Sequence, residues 1–102
     1  MSSYLVVRAV VHDMSRRDDF DRWYETRHLP DAKAAFGALS AWRGWSDTDP
    51  SVHFAFYELA DREAASAVLE SSAIAALIAE FDATWGDAVS RSREVVTRCQ
   101  SL

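Results

Sequence analysis

At 102 residues the chain has room for one hydrophobic core and not for two, so a single domain over residues 1–102 is expected. Hydrophobic side chains make up 49% of it and aromatics 12%, enough for a packed core, while the longest apolar runs fall well short of the roughly 20 residues that span a membrane, so a membrane protein is excluded. Sixteen acidic and eleven basic residues leave a charge of -5 with the basic residues scattered, which disfavours nucleic acid as a partner.

Residues 4 to 12, YLVVRAVVH, are rich in valine and free of glycine and proline, and read as a strand. Leu5, Val7, Ala9 and Val11 take one face; Tyr4, Val6, Arg8, Val10 and His12 take the other, so both faces carry apolar residues. Ser15 with Asp18 three residues on resembles a capping box. Phe20, Trp23, Tyr24, Arg27 and His28 then follow helical spacing. Pro30 disfavours a helical Leu29, so the helix is expected to end or bend there and restart until Gly37 stops it. A second strand, Leu39 to Ser46, carries Gly44 as a candidate bulge or close approach. The turn DTDP leads into a third strand, Val52 to Ala60, antiparallel to the second. Asp61 can cap a second helix with Ala64, Ala65, Val68 and Leu69 inward. Ser71 or Ser72 restarts it as the stripe Ile74, Leu77, Ile78, Phe81 and Trp85, which ends at Gly86. Ser92 to Cys99 completes the set as a fourth strand.

The order strand, helix, strand, strand, helix, strand is the split plan of a ferredoxin-like α+β fold, βαββαβ, with a four-stranded antiparallel sheet and the helices on one face. The other face would expose Tyr4, Val6, Val10 and large residues of the hairpin, a patch larger than monomers usually show. A second copy of the same sheet covers it most simply, so a homodimer packed face to face into a barrel is expected.

The densest polar and aromatic cluster is WYETRHLP, Trp23 to Pro30. Tyr24 and His28 are four apart and share a helix face with Arg27 beside them; a histidine exchanges protons near neutral pH, and a tyrosine or arginine can hold a substrate oxygen. The same spacing also fits a core built from Phe20, Trp23 and Tyr24, with Arg27 and His28 complementing the helix dipole. In AWRGW, Trp42 and Trp45 lie on opposite strand faces, so one can line a cavity within the protomer and the other an interface or edge. Arg43, on the face of Trp45, needs an anion: a ligand carboxylate or phenolate, or Glu58 or Asp49 across the hairpin. His53 and Tyr57 share a face with Ala55 between them, which leaves space for a cavity, although a histidine beside a turn also fits a solvated strand end.

Other chemistries lack their motifs. There is no glycine-rich phosphate loop, no GxSxG, no HExxH and no cluster at zinc spacing, so neither a metal nor a cofactor is expected. The single cysteine, Cys99, cannot form an internal disulfide, and the segment from Met1 to Tyr4 lacks the pattern of a secretory signal; a cytoplasmic location is expected.

With FDRWYETRHLP at Phe20 to Pro30, AWRGW at Ala41 to Trp45 and FAFYEL at Phe54 to Leu59, nearly the whole chain resembles the dimeric α+β barrel proteins, the EthD-like members especially. The resemblance implies a ferredoxin-like protomer, a homodimer and a pocket between the first helix and the sheet. Relatives on this fold include cofactor-free monooxygenases, isomerases, cyclases, haem proteins and stress-responsive proteins. The haem-degrading relatives rely on an asparagine, tryptophan and histidine set, and this chain has no asparagine, which weakens that activity and leaves simple haem binding as the least favoured alternative to the two readings below. The turn AFGAL after the first helix also departs from the proline-glycine turn of the group.

Two readings follow. In one, the dimer binds a small hydrophobic or aromatic molecule, with or without a carboxylate, and transforms it without a metal: His28 moves a proton, Tyr24 and Arg43 orient or polarise a ligand oxygen, and Trp23, Arg27, Trp42, Trp45, His53 and Tyr57 line the site. In the other, the dimer is a non-catalytic stress or regulatory protein whose helix motif builds core and interface.

Overall fold

A computed structural model describes residues 1–102. Four strands, β1 (Ser3–Val11), β2 (Ser40–Trp45), β3 (Val52–Leu59) and β4 (Val89–Thr97), form one antiparallel sheet in the order β2-β3-β1-β4. The helices are α1 (Arg17–Trp23), α2 (Leu29–Phe36), α3 (Arg62–Leu69) and α4 (Ser72–Trp85), with the segment Tyr24–His28 joining α1 to α2 as a π-helical turn. This is the ferredoxin-like α+β arrangement that the order of elements implies. No single helix is long and apolar enough to cross a membrane.

Period-two alternation decides which side chains meet the helices. Leu5, Ala9 and Val11 of β1 and Ala55, Tyr57 and Leu59 of β3 are buried in one core with Phe20, Tyr24, Ala32, Ala65, Val68, Ile74, Phe81 and Trp85 of the helical layer. The opposite face, with Tyr4, Val6, Trp42, Phe54, Phe56 and Val96, contributes nothing to that core.

The ends of the elements are set by side chains and glycines. Asp61 accepts from Ala64 N and Ser71 from Ile74 N, capping α3 and α4, while Gly37 and Gly86 leave α2 and α4 at φ of 62° and 51°. The Ser15 and Asp18 pair forms no capping box: α1 starts after Arg16 without a side-chain cap, and Asp13 caps the short 3₁₀ turn Met14–Arg16 that precedes it. Asp13 Oδ1 accepts from Ser15 N at 3.1 Å and Ser15 Oγ at 2.6 Å.

Four further expectations need correction. The helix does not end at Leu29: this residue stays helical at φ -64°, its N–H donating to Tyr24 O, and the irregularity before Pro30 is the wide turn Tyr24–His28, after which α2 starts. Gly44 makes no bulge, because pairing runs unbroken from Ser40↔Glu58 to Trp45↔His53. Leu69 turns outward, 41% exposed, and β4 begins at Val89, three residues before the expected start.

Candidate functional site

The wide turn explains how His28 comes inside. In an α-helix residues five apart point about 140° away from each other, yet the rings of Trp23 and His28 stack at 4.6 Å with 17° between their planes. The π-turn holds about one more residue per turn than an α-helix, so residues five apart come nearly into line and His28 returns to the buried face over Trp23. Tyr24, on the same turn, places its ring 4.8 Å from His28 and 4.4 Å from His53.

Between the helical layer and the sheet lies a cavity of about 30 Å³. Its walls are Leu5 and Val7 of β1, Tyr57 of β3, His28, Phe36, and Ile74, Leu77, Ile78 and Phe81 of α4, with Arg91 and Arg93 of β4 on one side. That volume admits a water molecule and is well below the roughly 150 Å³ of a cavity that takes a benzene ring. Leu77, Ile78 and Phe36 are only half-buried, so this wall is the part able to give way.

Two buried polar atoms on these walls, His28 Nδ1 and Tyr57 Oη, make no hydrogen bond of normal geometry, and the one polar group acting on Tyr57 Oη is the Tyr24 hydroxyl beside it. Such atoms are costly in a core, and a ligand atom is one way to satisfy them. Burial, and after it the charge of Arg91, lowers the His28 pKa to about 4, so the imidazole is neutral at pH 7, with a free lone pair but less basic than an exposed histidine. Burial raises Tyr24 to about 12. Burial first, and then the neighbouring Tyr24 hydroxyl, also hold Tyr57 protonated, which leaves both tyrosines as hydroxyl donors.

A second polar group sits beside the first without lining the cavity. Asp21 accepts from Arg43 Nη1 and from Trp45 Nε1, both at 2.8 Å, and those two hydrogen bonds, Trp45 first, lower its pKa. Glu25 lies 3.8 Å from the same guanidinium. Arg43 also approaches His53 Nε2 at 3.4 Å; a guanidinium only donates, so Nε2 accepts and the ring proton belongs on Nδ1, which is buried without a partner.

The residues singled out from sequence therefore separate. His28 and Tyr57 wall the cavity, Trp23 backs His28, and Tyr24 joins that group to His53. Arg43 and Trp45 belong to the Asp21 cluster, and the anion that Arg43 requires is Asp21 of α1, not Glu58 or Asp49. Glu58 instead accepts from Ser2 and Ser40. His53 is no solvated strand end: it is fully buried, with Phe20 and Trp45 packed against its ring. Arg27 stands outside at 62% exposure, paired with Glu80 at 2.9 Å. Trp42 lies on the far side of the sheet, stacked on Phe56 at 4.1 Å, and cannot reach the cavity.

Sequence reasoning missed Arg91 and Arg93. The alternation S-R-S-R over Ser90 to Arg93 carries them to the inner face together with Val89 and Val95, but a strand begun at Ser92 leaves Arg91 outside it and hides the pattern.

No protein-family model and no curated protein matches the chain. Solved structures do. A single-residue variant of SnoaB, a cofactor-independent oxygenase from Streptomyces nogalater, superposes with a TM-score of 0.73 at 15% identity, over 99% of this chain and 96% of its own. An EthD family protein from Bacillus halodurans gives 0.71 at 14%, covering 96% and 99%. HapK from Hahella chejuensis gives 0.71 at 14%, covering 97% and 94%. The chain shares the ferredoxin-like α+β fold of these proteins. At these identities the likeness carries the fold, and function must be argued from the site.

Proposed function

We propose that the chain is a homodimer, joined through the outer faces of its sheets, that binds a small hydrophobic or aromatic molecule in the cavity walled by His28, α4 and the sheet and removes a proton from it. The observation that carries this reading is the pair of buried polar atoms without a hydrogen bond of normal geometry, His28 Nδ1 and Tyr57 Oη, on the walls of one otherwise largely apolar cavity. His28 takes the proton from an acidic C–H or O–H of the ligand. The electron pair stays on the ligand as an enolate or phenolate, and the Tyr57 hydroxyl donates a hydrogen bond to the oxygen that carries its charge. Such an anion is a starting point for oxygenation, isomerisation or cyclisation. The superposition on a cofactor-independent oxygenase supports the first of these. Tyr24 and Trp23 hold the imidazole in place, and Arg43, through Asp21 and His53, acts behind them. The ligand enters as Leu77, Ile78 and Phe36 move apart.

The small volume of the cavity favours a second reading, a non-catalytic stress or regulatory dimer in which the aromatic cluster only builds the core. Proton exchange separates the two. With 2-tetralone in deuterium oxide as the probe, followed by NMR, the protein should accelerate exchange of the acidic C–H, and His28→Gln should lose about a hundredfold of that rate while remaining folded. Because His28 is already neutral, the rate should be level between pH 6 and 8 and fall only toward pH 4. Equal rates in the two proteins would leave the non-catalytic reading.

A further inference from the structure

The chain carries a net charge of -5, yet the polar side of its cavity is cationic. Arg91 and Arg93 alternate onto the inner face of β4, opposite Ala9 and Val7 of β1. Their situations differ. Arg91 is tied down, donating from Nη1 to Asp82 at 2.8 Å with its guanidinium 4.0 Å from the centre of the Phe81 ring. Arg93 makes no ion pair and no side-chain hydrogen bond, and Asp82, the carboxylate that faces both arginines, is engaged by Arg91. Two like charges on one strand face repel, and a single acid does not neutralise them. The remaining walls are aliphatic and aromatic except for His28 and Tyr57.

We infer that Arg93, with Arg91 beside it, binds a carboxylate of the ligand, so that the cavity selects a flat apolar acid over its neutral analogue. The inference rests on the pocket reading above and adds the substrate class. A carboxylate matches the planar guanidinium fork in shape as well as charge, and it supplies the anion that Arg93 lacks. The apolar body of such an acid then lies against Ile74, Leu77 and Ile78, with His28 and Tyr57 at its far end. Arg93 is thus a binding and specificity residue, and proton transfer stays with His28.

The test compares 2-naphthoate with 2-naphthamide, an acid and a neutral molecule of nearly the same shape, by isothermal titration calorimetry at pH 7. The wild-type protein should bind the acid about tenfold or more tightly than the amide. Arg93→Gln, a change at an exposed residue outside the core, should abolish that difference without weakening the amide, and Arg93→Lys should restore part of it. Leu77→Trp, which fills the cavity, should abolish binding of both. Equal affinities in the wild-type protein, or a preference that survives Arg93→Gln, would overturn the inference and leave the pocket standing. Binding of neither probe, or binding untouched by Leu77→Trp, would remove the pocket reading and the inference with it.

Discussion

His28 and His53 are neutral for the same reason: each ring is packed among aromatic neighbours that exclude water, and for each the nearest strong charge is an arginine, Arg91 or Arg43. Asp31 opposes the shift at His28 and Asp21 at His53, without reversing it. Both pKa values fall from 6.5 to about 4, so the unfolded chain takes up protons that the folded chain refuses. Stability is therefore full above pH 6.5 and is lost as the pH falls toward 4. The slope approaches about 1.4 kcal/mol per pH unit for each histidine. Urea unfolding between pH 4.5 and 7 should show this slope, and His53→Gln should remove about half of it. A slope unchanged by that substitution would mean that His53 is not held neutral. The need of Arg43 for an anion was legible in the sequence, because an arginine on an apolar strand face must find one. Its partner was not, since Asp21 lies on α1 and no rule of hairpin pairing reaches it. The burial of His53 was hidden in the same way: its position beside a turn suggested water, whereas Phe20 and Trp45 close over it from a helix and the adjoining strand.

At the scale of elements, strands and stops were readable because they depend on local chemistry: alternation for β1 and β3, Asp61 and Ser71 as caps, glycines at the two positive φ values. The π-turn was not readable, because its residues also satisfy α-helical spacing. Pro30 gives it a physical cause. In a continuous α-helix the ring of Pro30 would press on the carbonyl of Thr26 and leave that carbonyl without a donor. Widening the preceding turn moves the carbonyl and lets Leu29 bond to Tyr24 instead. Replacing Pro30 with alanine should let the segment relax toward α-helical register and swing His28 off Trp23. The readout is the ring-current shift that Trp23 imposes on the His28 protons in NMR spectra, which should shrink in Pro30→Ala. An unchanged shift would assign the wide turn to packing of the Trp23 and His28 rings rather than to the proline.

For the whole molecule the decisive asymmetry is between the two faces of the sheet. The inner face is closed by four helices, while the outer one presents Tyr4, Val6, Trp42, Phe56 and Val96 around a shallow depression edged by Glu94 and Arg98. Trp42 is 56% exposed and Val96 48%, so large apolar surface faces water on a chain that elsewhere buries its aromatic residues. This was legible from β1 alone, whose valines fall on both faces. A sheet face of this kind, set against its own copy, offers an interface with a hydrophobic centre and a charged rim, the layout of stable protein contacts. Trp42, stacked on Phe56 and absent from the core, is the residue whose loss should separate the copies without unfolding them. In sedimentation velocity the wild-type chain should run as a dimer at micromolar concentration. Trp42→Glu should weaken association about a hundredfold or more, the effect of losing an interface hot spot. Its far-ultraviolet circular dichroism should match that of the wild type, since the substituted side chain touches the outer face only. A wild-type monomer at those concentrations would overturn the barrel and leave the exposed aromatic face to some other partner. The cavity would survive that outcome, because all of its walls come from a single chain.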